Sequence, residues 1–503
     1  MATIVCLRRD KIRLGTDDYE QLDIVDGQLR LTTLILLLNS IKLALDQPGS
    51  QQKRDHKHIS ELLVKQSNDL LLLQTNHDSS HYFADFLRDG RAETPDKGKT
   101  LADRELLAAI SDCREFVKNW VEKRGGEPLE LLACIKNNLY FILHVISDEK
   151  LVYTVFEVLN SRGMEVSWLD RLKSMLMGKA YELTDTNRKQ LISELQTIWR
   201  DIYKLIGLRQ GLGTEALRFA ATLYLSTTQY RPLNERKAVE AFRGSSNDAE
   251  SIRKAAKWLL RVTQACEKVM SNPRQNAVTQ ISQARLLAVA IHLNDDIQEH
   301  DRDKLLAIWE KITFRIYGMM GNDARKRVGD YVRLACKVAK TELAVKEIHA
   351  EIRKIGKEFP IEKAVEKLRD ADCYEGWENE FRYFMFRYEE HLRRKEGQNF
   401  KNEHWEHIWN KSPSKSIEHI SPQKTAPDTI KHRLGNLMIL QPELNSQLQD
   451  KKPEQKRQAY RDTGLLSAKE VASILESEPK WTQEAVKERG GKLLEWAAHE
   501  WAD

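Results

Sequence analysis

The chain has little cysteine. Six are scattered over 503 residues, at positions 6, 113, 134, 266, 336 and 373, and no two are close enough to form a CxxC pair. This argues against a disulfide framework and a cysteine-built structural zinc site, and it fits a reducing compartment. Net charge is also small: 80 basic against 75 acidic residues leave +5. The chain as a whole does not advertise nucleic-acid binding, although a groove needs only local charge. Long apolar runs are missing too. The most apolar stretch, LTTLILLLNSIKLAL at 31–45, is broken by Asn39, Ser40 and Lys42 and is too short to span a bilayer. No charged-then-apolar signal pattern follows Met1. These absences predict a cytoplasmic protein that does not enter a membrane. The rest is ordinary: 41% hydrophobic residues can build cores and 31% charged residues can cover them. At this length one core is too few, and about two to four domains are expected.

The first part of the chain mixes strands and helices. TIVCL and QLDIV have strand length and β-rich composition. After VDGQLR, Leu31, Leu34, Ile35, Leu38, Ile41 and Leu45 recur as one helical face. Residues 46–58, polar with a Pro-Gly, and residues 90–99 read as loops. NLYFILHVIS, 138–147, reads as a buried strand. Ser167 and Asp170 have capping-box spacing, which predicts a helix starting at Trp168. From about 181 to 395 the pattern is helical throughout. One face carries Leu305, Trp309, Ile312 and Ile316, and another carries Trp377, Phe381, Phe384 and Tyr388. No fixed-period repeat is present. A charged, glycine-containing linker is expected at 393–403, then strand, loop, strand and helix, and a closing helix over 481–503.

That tail carries the clearest chemistry. SIEHISPQ sets Glu418 beside His419 at a strand end, LGNLMIL carries Asn436 on the second strand, and Asn445 lies at the start of the next helix. A ββα hairpin can hold a metal and a general base side by side. Phosphodiester hydrolysis needs a neutral imidazole to take a proton from water. It needs a hard cation to offset charge on the phosphorane and the leaving oxygen. It also needs oxygen ligands for that cation, and Glu418 and Asn445 offer them. A Glu-His pair alone is an ordinary surface string. Pro422, Gly-Asn-Leu and an asparagine nine residues further on, in that order, make it more. IEHISPQ…HRLGNLMIL…LN resembles the HNH, or His-Me finger, nuclease motif. The resemblance implies a base role for His419, a loop-steadying role for Asn436, and Mg²⁺ or Mn²⁺ ligation by Glu418 and Asn445. Glu418 departs from the more usual Asp. KPEQKRQAY resembles a basic segment of the Glu-His subgroup, which implies phosphate contacts from Lys456 and Arg457. His432, next to Arg433, reads as a solvated loop histidine.

A second island is LDIVDGQLRLTTL. A strand delivers Asp26, Gly27 and Gln28 to a helix start, where Gly27 permits close approach or positive φ. Free N–H groups and Arg30 suit a phosphate there, and Asp26 could hold Mg²⁺ or orient water. The plain alternative is a tight Asp-Gly turn with a surface arginine. Together with VFEVLNSRGMEVSWLDRLK, this island resembles the ParB/sulfiredoxin-like domain of GmrSD-type restriction endonucleases. The family's motifs fall on Asp26, Gly27, Gln28 and Arg30, and on Phe156, Glu157, Asn160, Gly163 and Asp170. Nucleotide binding by Asp26, Gly27, Gln28, Arg30, Asn160 and Gly163 is implied.

The resemblance implies a mostly α protein with an α/β N-terminal lobe. A ParB/sulfiredoxin-like domain would occupy 1–180, a helical linker domain 181–395, and a ββα-metal HNH nuclease domain 396–503. It implies a modification-dependent, antiphage DNA endonuclease controlled by a nucleoside triphosphate, with modified phage DNA as partner; a homo-oligomer is compatible with it. Two departures weaken the nucleotide site. Leu29 stands where the family has Gln, and only 25 residues precede Asp26, without the family's aromatic-rich opening segment, so the start reads as shortened. The rival reading is a non-catalytic DNA-binding or regulatory protein with vestigial nuclease and NTPase sites.

Three further features read as structural. His77 and His81 flank a Ser-rich loop. His404 and His407, with Trp405 and Trp409, read as a packing helix. ARKRVGDYVR, 324–333, mixes cations with Tyr331 and could touch a DNA backbone, but reads at least as readily as a solvated helix face.

Overall fold

The computed structural model describes residues 2–14, 16–45, 50–65, 70–74, 81–125, 127–148, 151, 167–183, 188–209, 211–225, 230–398, 413–478 and 480–503. The chain forms two compact units. One comprises Met1–Leu217 with Glu235–Thr263, the other Arg218–Asn234 with Gln264–Asp503. Of the helical middle read at 181–395, residues 181–217 and 235–263 belong to the first unit. The molecule is mostly helical, with a small N-terminal sheet. Among the described residues no helix is long and apolar enough to cross a membrane.

In the first unit, Ala2–Leu14 pairs antiparallel with Asp17–Asp26 and parallel with Phe141–Ile146. The first two strands run well beyond TIVCL and QLDIV, through a charged hairpin with cross-strand pairs such as Arg9–Asp23 (2.6 Å). Phe141–Ile146 is not buried as expected. It is a sheet-edge strand, and residues 141–144 are exposed. Helix Gln28–Ala44 packs on more than the one face its spacing suggested. Leu36 joins Tyr82, Phe83, Phe86 and Ile110, while Leu38, Ile41 and Leu45 join Ile59, Leu63 and Leu132. Apolar residues on more than one face set the second half of this helix in the core. Its polar interruptions satisfy backbone. Asn39 Nδ2 donates to Phe86 O (2.6 Å) and Lys42 Nζ to Leu87 O (3.3 Å), capping a neighbouring helix end. Residues 50–58 of the expected loop belong to helix Ser50–Leu63, whose Ile59 and Leu63 supply core contacts, and residues 46–49 lie outside the described residues. As expected, Ser167 caps Trp168–Glu182, its Oγ accepting from Asp170 N–H (3.1 Å).

The second unit is built on helix Ser282–Leu293, nearly all of which is buried, packed against Glu299–Thr313 and Val328–Ala339. Trp309 Nε1 donates to Ala284 O (2.8 Å). Helix Glu378–Lys395 and the closing helix Gln483–Glu500 are tied by buried charge. Arg387 pairs with Glu310 (2.6 Å) and also with Glu500. Trp501 stacks near Phe314 and Phe384, with centroids 4.8 and 5.3 Å away. Hydrogen bonds cross the boundary expected near 396. Glu389, on the helix before it, accepts from Leu466 N–H (2.8 Å) and Ser467 N–H (2.9 Å) beyond it. The linker is helical to Lys395, and residues 399–403, with His404 and His407, lie outside the described residues.

A candidate hydrolytic centre on a short hairpin

Ile417–His419 pairs antiparallel with Leu437–Ile439, setting Glu418 opposite Met438 and His419 opposite Leu437. Three residues per strand is short, so the hairpin depends on its supports. Ile420 N–H donates to Asn436 O (2.9 Å) and Leu440 N–H to Ser416 O (3.0 Å). Asn436, wholly buried, knits the loop after His419. Its Oδ1 accepts from Ser421 N–H (2.9 Å), and its Nδ2 donates to Ser421 O (3.1 Å) and Lys431 O (2.9 Å). It ends a short 3₁₀ turn, Leu434–Asn436, just before the strand rather than on it.

That turn is pressed against the closing helix. A Cβ on Gly435 would fall 1.9 Å from Val486 O, a contact only glycine avoids. Buried Arg489 donates to Gly435 O (2.9 Å) and Leu437 O (2.8 Å). Burial pulls its guanidinium below the usual arginine range.

His419 is 5% exposed. Burial, and then the nearby charge of His432 and Lys456, lowers its pKa to about 3, so the imidazole is neutral at neutral pH. Its Nδ1 faces the amide of exposed Gln423 (3.1 Å), while Nε2 is buried without a hydrogen-bond partner among the described residues. His432 is not a solvated loop residue. Its Nδ1 meets Asp372 Oδ2 at 3.1 Å, and its side chain is 14% exposed. Tyr374 sets its ring edge-on to both imidazoles, 4.7 Å from His419 and 5.0 Å from His432. Cys373 N–H also donates to His432 O (2.8 Å).

Glu418 points into the protein. Its Oε1 accepts from Lys456 Nζ (2.6 Å) and from Tyr460 OH (2.7 Å), both on helix Pro453–Asp462. Burial pushes its carboxyl up, and Lys456 and Tyr460 oppose that shift. Lys456 also donates to His419 O (2.8 Å) and is fully buried. Lys456, expected to contact phosphate, thus has its ammonium turned onto the hairpin in this structure. Arg457, next to it, is exposed.

The two expected cation ligands differ in fit. Asn445 Nδ2 donates to Lys415 O and Ile417 O (both 3.2 Å), which fixes the amide and leaves Oδ1 without a bond among the described residues. Glu418 does not fit as a ligand in this arrangement, because a cation on it would stand beside the Lys456 ammonium. No group of three His, Cys, Asp or Glu able to hold a metal occurs among the described residues.

At the N-terminal island, Asp26 ends its strand and Gly27, at φ +94°, caps helix Gln28–Ala44. A Cβ on Gly27 would meet Ile4 at 3.0 Å. Arg30 donates to Thr3 O (2.7 Å) and pairs with Asp26 (3.1 Å), while Gln28 Nε2 donates to Ile24 O (2.6 Å). Leu29 is 67% exposed. Asp26, Gly27, Gln28 and Arg30 come together. Phe156, Glu157, Asn160 and Gly163 lie outside the described residues, as does His77. The Asp170 carboxylate accepts from Tyr203 OH and from Ser167 Oγ (2.6 Å). The cations of 324–333 are largely paired, Arg325 with Asp323, and Arg327 and Arg333 with Asp330.

Reading the sequence missed Asp372, Tyr374, Tyr460 and Arg489. Only Tyr460 left a signal, its four-residue spacing from Lys456 on one helix face.

A buried, neutral histidine at the end of a two-stranded hairpin backed by helices defines a candidate hydrolytic centre. The model of the C-terminal domain of GmrSD restriction endonucleases matches residues 360–496, and that of the GmrSD restriction endonuclease N-terminal domain matches residues 2–177. The chain belongs to the GmrSD restriction endonuclease family. Membership makes it a restriction nuclease with DNA as its partner. The C-terminal match begins at 360 and so takes in Asp372 and Tyr374 along with the hairpin. No curated protein matches the chain.

Proposed function

We propose that this chain cleaves DNA phosphodiesters by HNH chemistry, with His419 as general base. The observation that carries the reading is His419 itself: a neutral imidazole, fixed at a strand end, with Nδ1 directed at an exposed side chain that water can replace. Such a nitrogen takes the proton of the attacking water. Asn436 holds the loop that aims it, and Lys456 holds the His419 carbonyl. Arg457 is the exposed candidate for a DNA phosphate. Mg²⁺ or Mn²⁺ would supply charge neutralisation at the scissile phosphate, with Asn445 Oδ1 as the ligand this chain offers it. The cluster at Asp26, Gly27, Gln28 and Arg30 would bind a nucleotide that controls cleavage, and the substrate would be modified phage DNA.

One observation favours the rival reading of a DNA-binding protein with a vestigial centre: the Glu418 carboxylate is already committed to Lys456 and Tyr460. Incubation of supercoiled plasmid with the purified chain and Mg²⁺ or Mn²⁺ separates the two. Nicking supports the nuclease. DNA binding without nicking supports the rival.

A further inference from the structure

Two imidazole nitrogens of the second unit are buried with no hydrogen-bonding partner among the described residues: Nε2 of His419 and Nε2 of His432. Each ring is held by its other nitrogen, His432 by Asp372 (3.1 Å) and His419 by Gln423 (3.1 Å). The ring centroids lie 5.4 Å apart, and Tyr374 packs its edge against both. Two imidazoles sharing one tetrahedral ion, with metal–nitrogen bonds of about 2.0–2.1 Å, would have centroids about 5 Å apart. We propose that His419 and His432 bind a borderline transition-metal dication, Zn²⁺, Ni²⁺ or Co²⁺, through their Nε2 atoms.

The surroundings suit that chemistry. Asp372 accepts the Nδ1 proton of His432, which puts the lone pair on Nε2 and fixes the ring, as a carboxylate behind a ligating histidine does. A half-turn of the Gln423 amide brings its oxygen to Nδ1–H of His419 and has the same effect there. Imidazole nitrogen selects these ions over Mg²⁺, which prefers oxygen. No group of three His, Cys, Asp or Glu placed to hold a metal is found among the described residues, so the other positions of a tetrahedral ion would have to be taken by water or an anion. The site is distinct from the Mg²⁺ or Mn²⁺ of the nuclease reading. An ion on Nε2 removes His419 from base duty, a consequence that does rest on that reading.

Isothermal titration of the full chain with Zn²⁺, without DNA, tests the binding. The expected result is a site in the wild type that Asp372→Asn weakens by about tenfold and His432→Ala by more, with Mg²⁺ in excess unable to displace the ion. Co²⁺ should give visible absorption bands that His432→Ala loses. Identical Zn²⁺ isotherms for wild type and a folded His432→Ala would overturn the proposal. If His432→Ala does not fold, the near-isosteric Asp372→Asn decides, and unchanged affinity there overturns it equally. No DNA enters the titration, so its failure stands apart from any failure of the nuclease reading.

Discussion

Replacing Lys456 by Met removes an ammonium that is fully buried and bonded to Glu418 at 2.6 Å and to His419 O at 2.8 Å. Glu418 would then have to ionise alone in the interior or take up a proton. Removing one partner of a buried ion pair costs about 3–5 kcal/mol. For a unit of this size that is a fall in Tm on the order of 10 °C, read by circular dichroism. Burial already holds the Glu418 carboxyl above the usual carboxylate range. Without the ammonium its folded pKa rises further above the unfolded one, so the penalty is felt above that unfolded value. The deficit should therefore shrink as pH falls toward 4.5. The double variant Glu418→Gln/Lys456→Met should recover most of the loss, because a pair replaced together leaves no lone buried charge. DNA affinity supplies the contrast. Arg457→Ala should lower the salt slope of binding by about 0.9, one phosphate contact, whereas folded Lys456→Met should leave it unchanged. An unchanged Tm with a reduced salt slope for Lys456→Met would refute the reasoning and place that ammonium on DNA.

Gly435→Ala must move the turn, because its Cβ would lie 1.9 Å from Val486 O; a loss of at least about 1–3 kcal/mol is expected in urea unfolding, together with loss of nicking. His292 is partly buried, bonded to Gln275 and held neutral, its pKa lowered to about 4 by desolvation first and then by Arg302 and Lys268. The unfolded chain takes up that proton near 6.5, so stability present above 6.5 is lost as pH falls toward 4. His292→Gln should flatten that slope in unfolding measured across the window. At the front of the chain, the Arg30 fork is occupied by Asp26 and Thr3 O, and Leu29 offers no amide. Phosphate release from nucleoside triphosphates should be slow; robust release that vanishes in Arg30→Ala would contradict this.

Much of the local structure was legible because it depends on nearest neighbours. Ser167 with Asp170 announced a helix start, and Ile417–His419 with Leu437–Ile439 announced a hairpin. Helix Ser50–Leu63 was not legible, since its three apolar residues, Ile59, Leu62 and Leu63, cluster at its end and give no period until Ile59 and Leu63 meet a partner. The exposed edge strand Phe141–Ile146 was misread because apolarity reports propensity and not which side of a sheet is covered. At the candidate site the hairpin residues were named from their order in the chain. Their surroundings were not, because Asp372 and Arg489 reach the hairpin across 60 and 54 residues of sequence. For the same reason Lys456 read as a surface cation: only the fold turns it toward Glu418.

The central claim is that His419 is the base of a DNA-cleaving centre. The most direct test is the single-turnover rate of duplex cleavage by wild type and His419→Ala, at equal protein, with Mg²⁺ or Mn²⁺ and matched circular dichroism. Loss of a general base lowers the rate by about 10²–10⁴, and the account predicts a fall of that size with the fold retained. A folded His419→Ala that cleaves at the wild-type rate would contradict it.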